Sequence, residues 1–132
     1  MITARHNKVI LYVILTLICI CFIPKIVDAQ AIKTSVSEIL KNPDKYDGKM
    51  VQVDGVVGSL RTKTSKKGNP YTTLMIRDAS NSVLNVFSFG TLSLKKNDSV
   101  VVAGRYQKVK HVGSYSFYNE IDASEGSIER TK

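Results

Sequence analysis

Four short segments of this chain carry apolar residues at every second position: Val51 and Val53, Leu74 and Ile76, Leu84 and Val86, and Val100 and Val102. A period of two sends alternate side chains to opposite faces of a sheet. The spacing predicts strands over residues 49–63, 71–78, 83–89, 99–110 and 115–123, with those eight residues inside. Gly55 and Gly58 interrupt the long first strand, as glycines do where a sheet bulges or bends on itself. Residues 64–70, rich in Lys, Gly and Asn, read as a loop; 79–82 and 111–114 read as turns, and 90–97 as a longer connection. Ahead of the strands, Thr34 and Ser35 precede Val36, Ile39 and Leu40 at helical spacing. That predicts a short helix ended by Pro43, whose ring pushes Asn42 out of the helical region.

Five strands, the first long and bent, with a longer connection between the third and fourth, match an all-β OB-fold, a five-stranded Greek-key barrel, here with a short N-terminal helix. A small β-sandwich of immunoglobulin type is the rival, and it wants about seven strands. The runs from Asn42 to Val57, from Leu94 to Tyr106 and from Tyr118 to Ala123 resemble those of bacterial exported single-domain OB-fold proteins, grouped with the tRNA-anticodon-binding-like, nucleic-acid-binding OB domains. The resemblance implies an OB barrel and a nucleic-acid ligand. It speaks more strongly for fold than for function.

The N-terminal end has its own logic. Arg5 and Lys8 precede a run from Val9 to Ile23 whose polar interruptions are Tyr12 and Thr16, a basic region followed by an apolar one. The run is short beside the roughly 20 apolar residues of a spanning helix. Residues 1–29 are therefore expected to be a signal peptide cut after Ala29, or after Ala31 in the overlapping small-residue pattern, with an uncleaved membrane anchor as the alternative. Cys19 and Cys21 follow Ile18 and Ile20 rather than the small residue that normally precedes a lipidated cysteine. Either way residues 30–132 are expected to be one exported domain, periplasmic or secreted, and tethered if the anchor is kept. Both cysteines of the chain fall in the leader, so the domain has no disulfide and no thiolate chemistry. Without Arg5, Lys8, Lys25 and Asp28 it keeps sixteen basic and ten acidic residues, a net charge of +6. Such an excess steers polyanions toward a surface.

With Leu74, Ile76, Leu84 and Val86 inside, alternation puts Tyr71, Thr73, Met75 and Arg77 outside beside Asn85, Phe87 and Phe89. In OB domains this face, with the loops between strands one and two and between strands four and five, forms the oligonucleotide or oligosaccharide groove. Arg61, Lys63, Lys66 and Lys67 border the first loop. Arg105, Lys108 and Lys110 flank the second, with His111 at its tip. Rings that stack bases and cations that hold phosphates are what sequence-tolerant single-strand binding requires. The candidate ligand-binding residues are thus Arg61, Lys63, Lys66, Lys67, Tyr71, Arg77, Phe87, Phe89, Lys108 and Lys110.

Catalysis has little support. The expected mature chain holds one histidine, His111, with no carboxylate near it in sequence, and Glu120 and Asp122 share a face of the last strand where pairing with Lys or Arg is the ordinary outcome. No metal site or cofactor is expected. His111 and Tyr115 match the spacing of the His and Tyr in the exported haem chaperone of cytochrome c maturation, also an OB-type barrel. That pair lies in a tail after the last strand, whereas this one brackets a turn. The function read from the sequence is a non-catalytic binding module for single-stranded nucleic acid or a similar extended polyanion. The alternative is an envelope adaptor that takes a protein or glycan in the same groove, and a haem-handling role ranks lower. N-terminal sequencing of the purified protein is expected to begin at Gln30 or Ile32; a start at Met1 would establish the retained anchor.

Overall fold

The computed structural model describes residues 30–132, so the expected signal segment and its cleavage site lie outside the described residues. The elements are β1 (Ile32–Lys33), α1 (Val36–Lys41), α2 (Pro43–Tyr46), β2 (Met50–Thr64), β3 (Pro70–Arg77), β4 (Val83–Phe89), β5 (Ser99–Val112) and β6 (Tyr115–Arg130). Among the described residues no helix is long and apolar enough to cross a membrane.

Strands β2 to β6 close a barrel. The first half of β2, Met50 to Val56, pairs antiparallel with β5, and the rest, from Val56 to Thr64, pairs antiparallel with β3, so one long strand serves two neighbours. The register slips between Val57 and Ser59, placing a bulge at Gly58 where the strand turns from one partner to the other. β3 pairs with β4 and β5 with β6, both antiparallel, and a parallel seam between Asn85–Phe87 of β4 and Glu120–Asp122 of β6 completes the circuit. This is the OB-fold layout.

All eight residues expected inside are at most 2% exposed, and they are joined in the core by Val57, Tyr106, Ile121, Ala123, Val36, Ile39 and Tyr46. Gly104 lets β5 and β6 cross closely, since a Cβ there would stand 2.5 Å from the Asp122 carbonyl oxygen and 2.8 Å from Ile121 Cγ2.

Four details depart from the sequence expectation. A sixth strand, β1, lies parallel to the start of β2. Pro43 also begins a second helix as well as ending the first, because its fixed φ and missing N–H suit the first helical position. The last strand runs on to Arg130 past a bulge opposite Ala103–Arg105, where its tail pairs with the beginning of β5. His111 and Val112 are still strand, so the turn itself is Gly113–Ser114.

The N-terminal helix is fixed from two directions. Ser35 caps it with an extended backbone and a hydroxyl that accepts from the Glu38 amide at 3.1 Å. Asp78, at the end of β3, reaches across to accept from the Ser37 amide at 2.8 Å, while its other oxygen accepts from the Ser80 amide and hydroxyl and from the Ser82 amide. Burial works against this charge, but the bonds from Ser80, Ser37 and Ser82 outweigh it and lower the Asp78 pKa to about 2. A depressed carboxyl pKa contributes stability that is present above the ordinary aspartate range and lost as pH falls through the folded value. Asp78→Asn is expected to cost roughly 1–2 kcal/mol at neutral pH. In urea titrations that deficit should shrink as pH is lowered from about 4 to about 2.

Candidate functional site

An apolar cleft of about 510 Å³ lies on the outer face of β3 and β4. Its residues come from three places. Tyr71 and Thr73 of β3 and Phe87 and Phe89 of β4 form the back, Lys63 and Ser65 belong to the β2–β3 hairpin, and Lys110, Val112, Phe117, Glu120 and Asp122 belong to β5 and β6. By alternation Lys110 and Val112 continue the face of β5 that carries Tyr106 in the core, yet here they meet the outward rings of β4. The β5–β6 hairpin thus outruns the barrel and leans over the sheet. At its base Tyr106 donates its hydroxyl to Asn119 Oδ1 at 2.6 Å, and Asn119 has the left-handed φ of 51° that asparagine tolerates better than most residues.

The rings form a connected row. Tyr71 and Phe87 lie 5.8 Å apart between centroids, and Phe87 meets Phe89 edge to face at 5.2 Å. These separations are those of attractive aromatic pairs. Phe89 is 66% exposed and Phe117 44%, so the row presents uncovered π-surface.

Beside the row sits a charge cluster. Lys110 Nζ lies 4.5 Å from the Phe87 centroid, 3.1 Å from Glu120 Oε1 and 3.2 Å from Asp122 Oδ2. Burial disfavours its charge, but the hydrogen bonds and fields of Glu120 and Asp122 prevail and raise the Lys110 pKa above the ordinary lysine value. For Asp122, burial pushes upward, while the Ser124 hydroxyl and amide and the Lys110 ammonium pull harder and lower the pKa. Counted as charges, the floor of the cleft is net negative by one.

The structure brings together five of the ten residues singled out from sequence: Lys63, Tyr71, Phe87, Phe89 and Lys110. Lys66 and Lys67 stand exposed at the hairpin tip, directly after the lining residue Ser65 but not among the lining residues themselves. Arg61 lies further along β2 beside Thr73, Met75 and Asn85, and Arg77 lies at the other end of β3 near Gly58. Lys108 points elsewhere, to Asp44 Oδ1 of α2 at 2.9 Å, and that hydrogen bond and field raise its pKa. Arg105 donates to the Gly48 carbonyl, also away from the cleft. Among the described residues Arg61, Lys63, Lys66 and Lys67 enter no ion pair. Sequence reasoning put Thr73 on this face but left out Ser65, Val112 and Phe117 as lining residues and did not place Glu120 and Asp122 in the groove. The signal available for Phe117 was its position two residues from Tyr115 on a strand with almost no aliphatic residues. His111, whose Nδ1 lies 2.9 Å from Ser116 Oγ, is exposed and outside the cleft. Among the described residues no group of three or more His, Cys, Asp or Glu is arranged to hold a metal ion.

No protein-family model matches the sequence, and no curated protein matches it. Solved structures do resemble it. A candidate nucleic acid-binding lipoprotein from Klebsiella pneumoniae superposes with a TM-score of 0.53 at 21% identity, over 77% of this chain and 92% of that one. A candidate aspartyl-tRNA synthetase from Leishmania major gives 0.50 at 14% identity over 76% of this chain, which spans only 20% of that enzyme's length. The second OB-fold domain of replication protein A from Methanococcus maripaludis gives 0.44 at 17% identity, over 65% of this chain and 87% of that domain. At such identities the likeness is one of fold alone.

Lys110→Met is expected to destabilise the fold by roughly 1–3 kcal/mol in urea unfolding, because it strands Glu120, which is only 6% exposed. Partial solvation of the cluster keeps the cost below that of a fully buried pair. Lys108→Met, on the surface, should have little effect.

Proposed function

We propose that this chain is an exported, non-catalytic OB-fold module whose residues 30–132 bind single-stranded nucleic acid in the cleft between the β2–β3 and β5–β6 hairpins. The observation that carries this reading is the make-up of the cleft: a connected row of rings lines it together with Lys63, which enters no ion pair among the described residues, and the exposed Lys66 and Lys67 follow its lining residue Ser65. Stacking on such rings contributes about 1–3 kcal/mol per base and is tolerant of sequence, while Lys and Arg at the edge meet the backbone. The Klebsiella protein of the same fold is described as nucleic-acid-binding and as a lipoprotein, which lends support both to the ligand class and to a place outside the cytoplasm. Export also accords with the basic and apolar pattern of residues 1–29.

The pairing of Lys108 and Lys110 with carboxylates changes how the charge should act. Arg61, Lys63, Lys66 and Lys67 are left to contact phosphates. Three or four such contacts correspond to a log–log salt slope of about −2 to −3 on single strands. Fluorescence anisotropy of a labelled oligonucleotide across a salt series is expected to give weak binding with that slope. Replacing Lys66 and Lys67 together with Ala should flatten it. Phe89→Ala removes a ring that is mostly exposed and should weaken binding by roughly 1–3 kcal/mol with the slope unchanged, since stacking releases no counterions. Binding of a protein segment or glycan that persists at high salt, with none of oligonucleotides, would favour the adaptor reading.

A further inference from the structure

The floor of the cleft is arranged to accept hydrogen bonds and not to donate them. Lys110 has three N–H donors. Two are directed to Glu120 Oε1 and Asp122 Oδ2, and the ammonium lies over the Phe87 ring. Asp122 Oδ1 accepts from the Ser124 amide and hydroxyl. Glu120 Oε2 has no hydrogen-bond partner among the described residues, although the side chain is only 8% exposed and lines the cleft. One carboxylate oxygen is thus held by a salt bridge through its twin, with its acceptor capacity unused, on a residue that lines the cleft beside the rings.

On the reading that the cleft takes nucleobases, we infer that Glu120 selects bases bearing an exocyclic amine, cytosine, adenine and guanine, over uracil and thymine. A base stacked on Phe87 or Phe89 turns its hydrogen-bonding edge toward the floor. Cytosine offers its N4 amine and adenine its N6 amine there, and either donates to Glu120 Oε2. Uracil and thymine present two carbonyl oxygens flanking a single N–H. Bringing that N–H to the carboxylate carries both carbonyls toward the two carboxylates, where two of the three Lys110 donors are already taken. The preference comes from hydrogen-bond readout, in addition to the stacking strength and backbone flexibility that are the usual sources of modest bias in sequence-tolerant single-strand binders.

Cytosine and uracil differ at the groups in question and are otherwise closely matched in size, so the test compares oligo(dC) and oligo(dU) of about 12 nucleotides, within the site size of one OB barrel. The purified protein is titrated with each at slightly alkaline pH and low salt. Oligo(dC) is expected to bind about tenfold more tightly, the value of one hydrogen bond to a charged acceptor. In Glu120→Gln, whose amide donates as well as accepts, the ratio should fall to near one, with circular dichroism confirming the fold. Equal or tighter binding of oligo(dU) to the unaltered protein overturns the selectivity and leaves the nucleic-acid reading standing. A cytosine preference that persists in folded Glu120→Gln overturns the role of Glu120. Failure of both oligonucleotides to bind overturns the nucleic-acid reading and this inference with it.

Discussion

The parallel seam between β4 and β6 is the contact on which the rest of the architecture depends. It consists of three register pairs, Asn85 with Glu120, Val86 with Ile121 and Phe87 with Asp122, and without it the five barrel strands would be an open, curled sheet with two free edges. Parallel pairing is slightly less stable per residue than antiparallel pairing, and here it joins strands remote in sequence. What secures it is the central pair, since Val86 and Ile121 are both fully buried. The seam is therefore held more by the core behind it than by its own hydrogen bonds.

The same three pairs also build the cleft. Because side chains alternate, burying Val86 and Ile121 forces Asn85, Phe87, Glu120 and Asp122 to the outer surface. Phe87 is then set opposite Asp122 by register, and two carboxylates on one short stretch of strand need a counter-charge. Lys110 supplies it from the overhanging hairpin, so the salt bridge that neutralises the seam also draws the hairpin over the rings. Closing the barrel and forming the cleft are in this sense one event. The anchor at the hairpin's base, Tyr106 to Asn119, joins the core to the overhang by a single hydrogen bond.

Much of the barrel was legible in the sequence because its signal is local. Val51, Val53, Leu74, Ile76, Leu84, Val86, Val100 and Val102 declare an inside by spacing alone, and Gly58 declares the bulge. β6 was legible only in part. After Ala123 the run Ser124, Glu125, Gly126, Ser127 carries no apolar alternation to mark a strand, and pairing with β5 resumes only at Ser127, opposite Ala103. The restart of the helix at Pro43 was missed because the effect of proline on the preceding residue was weighed without its fitness for a first helical turn. In the cleft, the outward aromatics of β3 and β4 followed from alternation. The pairing of Lys108 with Asp44 and of Lys110 with Glu120 and Asp122 did not, since the first joins positions 64 residues apart and the second depends on how far the hairpin leans.

Those pairings bear on which polyanion the groove can take. A net charge of +6 over residues 30–132 invites any extended anion, sulfated glycan as readily as nucleic acid. The cleft narrows the choice. An anion carrying charge along its whole width would have to set sulfate or phosphate against Glu120 and Asp122, whose one cation is already shared between them. A ligand whose charge runs along one edge and whose neutral, flat groups project from the other avoids that repulsion. It lays the charged edge along Lys63, Lys66 and Lys67 and the flat groups on Tyr71, Phe87, Phe89 and Phe117. A single nucleic-acid strand has that division, with phosphates on one side and bases on the other. Under the proposed function, the acidic floor, which would count against a polyanion charged across its whole width, is compatible with one that can turn its charge away.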